Sequence, residues 1–375
     1  MQPIIIIGTG LAGYTLAKEI RKEDKTTPVQ LITADNGDFY SKPMLSNALS
    51  KNQSIEKLTM FPAAIIAGQQ GFQVLNNTRV TEIDTASNTV ITDKGHYVYS
   101  KLVLATGAQA IRIPVAGDAA DDIISVNSLD DYAVFRQRLE GKKRIAILGA
   151  GLIGCEFAND LAASGYQVNI IDLADSPLGR LLPTAAAANL KQALSSLNIE
   201  WFLGHSLKAI DKTANGYRLT LDDDSTFESE LVLSAIGLRA NTELAAAAGI
   251  KVNRGIIVDE YLQTSVDNIY ALGDCTEING NVMPYVMPIM LGARALANTL
   301  TGCKSEVIYP AMPVAVKTPV QAVIVCPPPI NHQGQWQEEV IGSGIKACCY
   351  ENDRLIGFAL TGDAVSEKQQ LVKLI

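Results

Sequence analysis

Ile4-Ile5-Ile6-Ile7-Gly8-Thr9-Gly10-Leu11-Ala12-Gly13 and, much further along the chain, Arg144-Ile145-Ala146-Ile147-Leu148-Gly149-Ala150-Gly151-Leu152-Ile153-Gly154 decide the fold. Each is an aliphatic run of the kind buried on both faces of a parallel sheet, followed by G-x-G-x-x-G. Working outward, residues 13–22 and 155–164 have helical periodicity. Residues 29–33 and 168–171 form the next apolar strands, which run into Asp35 and Asp172. A strand before the glycines, a helix after them and an acid about 20 residues further on are the conditions under which this motif binds a dinucleotide. The glycines divide the work. Gly8 and Gly149 make the tight turn, Gly10 and Gly151 let a pyrophosphate approach the backbone, and Gly13 and Gly154 let helix and strand pack. Thr9, Leu11, Ala12, Leu152 and Ile153 complete the two turns, whose helix N-termini face the phosphates.

Two such units in one chain of 375 residues imply a doubly wound α/β protein with two nucleotide sites. Leu104-Ala105-Thr106-Gly107-Ala108 closes the first unit, and Ala271-Leu272-Gly273-Asp274 resumes it after the second, so the second is an insertion. The expected divisions are 1–110 with 244–310 for the first unit, 111–243 for the second, and 311–375 for a small C-terminal domain. Residues 74–83, 89–92 and 97–104 read as strands of a meander. Alternation over 345–360, after the break at Cys326-Pro327-Pro328-Pro329, suggests a small antiparallel sheet.

The first unit carries an extra acid, Asp274, at a strand end facing the same crevice as Gly10, which suits the ribityl hydroxyls of FAD; its bland alternative is a helix cap or turn residue. Asp35 would then accept from the adenosine ribose. A helix beginning near Tyr285-Val286-Met287-Pro288 either aims its positive end at the flavin pyrimidine or is a core helix with Met287 and Met290 as packing residues. Asp172, followed by Leu173 and Ala174 with no arginine, favours NADH over NADPH. Glu156 is expected on the first turn of its helix, either near the reacting rings or as a favourable first-turn carboxylate.

Hydrophobic residues make up 47% and charged residues 19%, which excludes disorder. The absence of a long uninterrupted apolar run argues against a membrane span, and the basic n-region of a signal peptide is missing, so a cytoplasmic location is expected. A net charge of −8 gives no footprint for nucleic acid or an anionic surface. Six cysteines lack C-x-x-C spacing, and Cys348-Cys349 suits core and edge positions of a strand better than a vicinal disulfide. The three histidines lack metal-ligand spacing, so no metal is expected.

Together these residues resemble the FAD-dependent pyridine nucleotide oxidoreductase superfamily over the whole chain. The resemblance implies glutathione-reductase-like FAD and NAD domains, both Rossmann-like, plus a small α+β C-terminal domain. Tyr40-Ser41-Lys42-Pro43-Met44-Leu45-Ser46, Arg254-Gly255-Ile256-Ile257-Val258-Asp259, Val316-Lys317-Thr318-Pro319 and Cys326-Pro327-Pro328-Pro329 with Gly334-Gln335-Trp336 resemble the rubredoxin reductases of bacterial alkane oxidation. The flavorubredoxin reductases share the first three. The superfamily's lysine that pairs with the acid matching Glu156 is replaced here by Asn47. The resemblance places Lys42 along the FAD phosphates and brings Lys317 toward the flavin; either Lys51 or Lys317 would take the place of the missing lysine. Pro43, Val80, Ala105, Gly237 and Val286 complete the cofactor-side candidates, with Glu156 and Lys317 as the catalytic ones.

Hydride transfer from NADH to FAD calls for positioning more than for acid or base groups. A rubredoxin iron takes one electron at a time, so the chain would act as a two-to-one electron adapter. Because the whole chain is acidic, the rubredoxin partner implies a local basic patch or an apolar contact, with Lys42, Lys51 and Lys317 as the basic candidates. A flavorubredoxin or ferredoxin reductase is the alternative in the same class, and a flavin-based NADH-sensing binding protein the alternative from another. The expected oligomeric state is monomer or weak dimer.

Overall fold

The computed structural model describes residues 1–329, 332 and 334–375. Four helices matter below: α1 (Leu11–Glu23), α2 (Leu152–Ala163), α3 (Thr184–Ser195) and α4 (Val286–Leu300). The chain forms two compact units. One comprises Met1–Lys42, Glu56–Gln109 and Leu238–Pro310, the other Pro43–Ile55, Ala110–Gly237 and Ala311–Ile375.

In the first unit Ile4–Ile7 is the middle strand of a five-stranded parallel sheet, between Val29–Ile32 and Lys101–Leu104. All four isoleucines are buried, as a run without polar alternation requires when both faces of the sheet are covered. Ile269–Ala271 pairs with Lys101–Leu104, so the strand that ends at Gly273-Asp274 returns to the first sheet, as the insertion requires. The chain leaves Ile4–Ile7 toward one side and comes back on the other, which puts a switch-point crevice at the strand's carboxyl end.

The expected meander is corrected in two places. Gln73–Leu75 joins the parallel sheet beside Val29–Ile32 and is separate from Val80–Asp84. The 97–104 stretch is two strands, Gly95–Val98 of a three-stranded antiparallel sheet and Lys101–Leu104 of the parallel one. Both helices after the glycine turns begin earlier than periodicity suggested, at Leu11 and Leu152, because the middle glycine is already the N-cap.

In the second unit Arg144–Leu148 lies between Gln167–Asp172 and Leu231–Ser234 in another five-stranded sheet, repeating the first arrangement. The same unit holds an antiparallel sheet in the order Val314–Val316, Val323–Cys326, Arg354–Thr361, Gly344–Glu351, Gln335–Ile341. Its hairpin turns at Asn352 and Asp353, both at positive φ, the conformation that two-residue turns demand. Cys348 and Cys349 are both buried on the Gly344–Glu351 strand, which has neighbours on both sides and is no edge. All six cysteines are free.

Contacts with α3 explain why 311–375 falls in the second unit. Pro183 precedes this helix and provides no side-chain cap, and Glu338 of the antiparallel sheet accepts from the Ala185 and Ala186 amides at 3.2 and 3.0 Å instead. Asn189 donates to Ser343 O and accepts from Gln321 and Thr361.

Candidate functional site

The two glycine turns have the same physical logic. Gly8 and Gly149 sit at φ +115° and +103°, where an L side chain is strained. A Cβ on Gly13 would lie 2.0 Å from Gly8 O, and one on Gly154 1.9 Å from Gly149 O. A Cβ on Gly10 or Gly151 would meet nothing within 4 Å. The outer glycines thus answer to the protein itself, and the middle ones face open space at the N-termini of α1 and α2. Neither helix has a side-chain cap or an acid in its first turn, so the amide groups there are left for a ligand anion.

Around the first turn, Asp35 Oδ1 accepts from Thr33 Oγ1 at 2.7 Å and Gly37 N at 2.9 Å, with Thr9 Oγ1 at 3.5 Å. Gly273, at φ +92°, lies so close to α1 that a Cβ would stand 2.8 Å from Ala12 Cβ. This brings Asp274 beside the turn. Burial pushes the Asp274 carboxyl up, and the charge of the Lys42 ammonium acts against that. Ala105 O closes against Gly8. Gly107 is at φ +67°, and Thr106 is clasped by Asn241, whose backbone carbonyl and side-chain amide both bond to it, at 3.0 and 2.8 Å. Asn241 had no signal in the sequence. Val80 is half-buried against the core. At α4, Tyr285 is an extended N-cap without a side-chain bond, Val286 and Met287 are exposed, and Pro288 is buried at the third helical position. Met287 is therefore no packing residue.

In the second unit Asp172 Oδ2 accepts from Ala150 N at 2.5 Å and Oδ1 from Ala174 N at 2.7 Å, which holds the carboxylate against the glycine turn. The Ala150 carbonyl accepts from Leu178 N and from the buried Cys155 thiol. Gly237, at φ +123°, faces Ile111.

Glu156 is at the fifth position of α2 and not on its first turn, a correction that follows from the earlier helix start. It is buried, and its carboxylate accepts from Lys317 N at 2.9 Å, Lys317 Nζ at 2.5 Å and Ser46 Oγ at 2.5 Å. Lys317, and not the exposed Lys51, takes the place of the lysine missing at Asn47. Asn159 Oδ1 accepts from Val320 N, and Asp160 accepts from Leu49 N, Ser50 N and Ser50 Oγ. Burial pushes the Asp160 carboxyl up, against those hydrogen bonds and the charge of Arg136. Sequence reasoning missed Ser46, Asn159 and Asp160, although three polar residues at i, i+3 and i+4 in an otherwise apolar helix were a signal. Of the three basic candidates for a docking patch, Lys317 is paired with Glu156 and Lys51 is exposed.

His205, Asp222 and Asp223 converge so that their ligand atoms lie within 4.8 Å of one another, although sequence spacing had suggested no metal cluster. His205 Nδ1 lies 2.9 Å from Asp222 Oδ1, and Ser206 and Ser225 donate to the two carboxylates, so the group already satisfies itself at the surface. No helix of the described residues is long and apolar enough to cross a membrane.

Two uncapped helix N-termini, each behind a glycine turn and each with an acid at the neighbouring strand end, give the chain two places with the form of a dinucleotide site, and the matches that follow make it an oxidoreductase of the flavoprotein class. The family model for pyridine nucleotide-disulphide oxidoreductases matches residues 2–297, and the rubredoxin binding C-terminal domain matches residues 306–375. The chain belongs to the pyridine nucleotide-disulphide oxidoreductase family. It is 46% identical over 379 residues to the rubredoxin-NAD(+) reductase of Alcanivorax borkumensis, covering 100% of this chain and 98% of that one. It is 41% identical to the nitric oxide reductase FlRd-NAD(+) reductase of Aeromonas salmonicida, covering 99% and 95%. The crystal structure of NADH:rubredoxin oxidoreductase from Clostridium acetobutylicum superposes with a TM-score of 0.83 at 25% identity, covering 100% and 94%. FAD and NADH, the pair that the two turns call for, are the cofactors of this family and of this chain.

Proposed function

We propose that the chain transfers electrons from NADH through FAD to a rubredoxin. The observation that carries this reading is the C-terminal match to a rubredoxin binding domain, on a chain whose remainder matches the pyridine nucleotide oxidoreductases. When bound, NADH would supply a hydride and FAD would allow its two electrons to leave one at a time.

The protein's own groups bind and orient. In this proposal the Gly8–Gly13 turn and the N-terminus of α1 hold the FAD pyrophosphate, Asp35 accepts from the adenosine ribose, and Asp274 accepts from the ribityl chain under the charge of Lys42. Thr106, Gly107 and the N-terminus of α4 complete that site. Gly151 admits the NADH pyrophosphate, and Asp172 accepts from the ribose diol and repels a 2′-phosphate. Glu156 and Lys317 act as a fixed charge pair in hydride transfer. The division into FAD domain, NAD domain and C-terminal domain belongs to the same proposal, as do a cytoplasmic location and the supply of an alkane hydroxylase.

The 41% identity to a flavorubredoxin reductase favours a second reading, reduction of a rubredoxin-like domain in a larger protein. Stopped-flow measurement with saturating NADH tests both. The expected result is millisecond flavin reduction followed by reduction of free rubredoxin much faster than of molecular oxygen. Rubredoxin reduced no faster than oxygen overturns the proposal, and a flavorubredoxin domain reduced far faster than free rubredoxin selects the alternative.

A further inference from the structure

We propose that Tyr14 is a positioning residue for the Asp35 carboxylate and thereby sets how tightly the adenosine end of FAD is held. The proposal rests on the assignment of Asp35 to the FAD ribose. Tyr14 directly follows the third glycine of the first turn and is fully buried on α1. Its ring meets Phe39 edge-on, with centroids 5.4 Å apart, and lies 6.0 Å from Phe72. Its hydroxyl donates to Gly37 O. The N–H of the same glycine donates to Asp35 Oδ1 at 2.9 Å. Gly37 is thus held at both its polar groups, by the helix on one side and by the carboxylate on the other.

This matters because Asp35 is exposed, so packing cannot orient it. Only hydrogen bonds can, and those it receives from Thr33, Gly37 and Thr9 all end on Oδ1. Oδ2 is then left for a hydroxyl of the ligand. Gly37 cannot be fixed by a side chain of its own, since at φ +74° a Cβ would press on Ala63 and Val74, both at 3.2 Å. The phenol is a permanent donor, because burial together with Asp35 and Asp38 pushes its pKa well above the working range. The Gly13-Tyr14 junction puts a long polar side chain where α1 packs against the strand Phe39–Tyr40, two residues after Gly37.

The test uses four holoenzymes: the unaltered protein, Tyr14→Phe, Asp35→Ala and the double variant. FAD release is followed by the rise in flavin fluorescence on dilution, and the fold by thermal melting. Phenylalanine keeps both ring contacts and removes only the donor. Tyr14→Phe is expected to weaken FAD retention roughly three- to tenfold, the worth of one buried hydrogen bond. In the Asp35→Ala background the same substitution should change it less than about twofold, because its effect passes through that carboxylate. An unchanged retention in Tyr14→Phe overturns the proposal, and so does an equal loss in both backgrounds, which would mean that the hydroxyl acts by a route other than the Asp35 carboxylate. If Asp35→Ala by itself retains FAD fully, the ribose assignment fails, whatever Tyr14 does.

Discussion

Alanine at Gly10 separates ligand from fold at a single atom. Gly10 caps α1 at φ −67° and ψ −173°, a backbone conformation open to any residue, and its Cβ would meet nothing within 4 Å. The fold should therefore tolerate Gly10→Ala, and the loss of glycine's freedom in the unfolded chain contributes about 0.4–1 kcal/mol in its favour. Gly13→Ala is the contrasting case. Its methyl would stand 2.0 Å from Gly8 O and 3.5 Å from Ile6 Cγ2, and a backbone carbonyl at the end of a buried strand cannot move aside cheaply. Overpacking of that kind costs about 1–3 kcal/mol and sometimes more. If the pyrophosphate of FAD approaches the turn at Gly10, the Gly10→Ala methyl meets the ligand instead, at a similar cost of about 1–3 kcal/mol. That corresponds to FAD affinity lowered roughly 5- to 150-fold. Thermal melting of the flavin-free protein and titration with FAD separate the two quantities. Gly10→Ala should melt at or slightly above the unaltered temperature yet bind FAD poorly, whereas Gly13→Ala should lose stability first. Full FAD affinity in Gly10→Ala would refute the assignment of the first turn to a pyrophosphate.

The second turn offers a different readout: Asp172→Ala should narrow the preference for NADH over NADPH by roughly one order of magnitude or more in kcat/KM, and equal use of both coenzymes by the unaltered protein would sink that role. Removing the Lys317 ammonium leaves Glu156 buried with two of its three donors. Lys317→Met should therefore cost about 2–3 kcal/mol, less than a fully buried pair because the lysine is about a third exposed, and Lys317→Met with Glu156→Gln should cost less than the sum. Urea unfolding followed by Trp201 and Trp336, both in the second unit, reads this coupling, and strict additivity would speak against the pair. Asp160, raised above its ordinary 3.8 by burial, binds a proton in the folded chain that the unfolded chain lacks in the window between 3.8 and the raised value. Relative to Asp160→Asn, the unaltered protein should therefore gain stability as pH falls through that window and level off below it. A difference that shrinks on acidification would contradict the assigned direction.

What was legible in the sequence was whatever the backbone demands locally. Gly8, Gly13, Gly149 and Gly154 are required by positive φ or by a carbonyl at 2 Å, and such demands leave the same residue at the same spacing wherever the turn occurs. The burial of Ile4–Ile7 and the return of the first sheet at Gly273-Asp274 followed from the same kind of signal. The strands between 73 and 104 were misassigned because a three- or four-residue apolar run looks alike in a parallel core and in an antiparallel meander, and only the partner strand tells them apart. The Glu156 partner was open between Lys51 and Lys317 because the pair is 161 residues apart in sequence. His205 and Asp222, 17 residues apart, come together through the pairing of two strands and not through any motif spacing.

The polar face of α2 shows why the pair is built from so far away. Glu156, Asn159 and Asp160 are all buried, and each is satisfied by a segment remote in sequence: 317–320 through Glu156 and Asn159, and 46–50 through Glu156 and Asp160. Six of these bonds have backbone amides or hydroxyls as donors, which cost little desolvation and fix geometry closely. Lys317 is held twice by one carboxylate, through its own amide and through its ammonium, so its charge is placed by the main chain and not left to a flexible four-carbon stem. A lysine at position 47 would have to reach a carboxylate that already accepts from Ser46 and Lys317. Asn47 itself is 7% exposed, and its Oδ1 has no hydrogen-bond partner among the described residues, an uncommon cost for a buried amide. The ammonium that pairs with Glu156 thus comes from the C-terminal segment, the part of the chain that matches a rubredoxin binding domain.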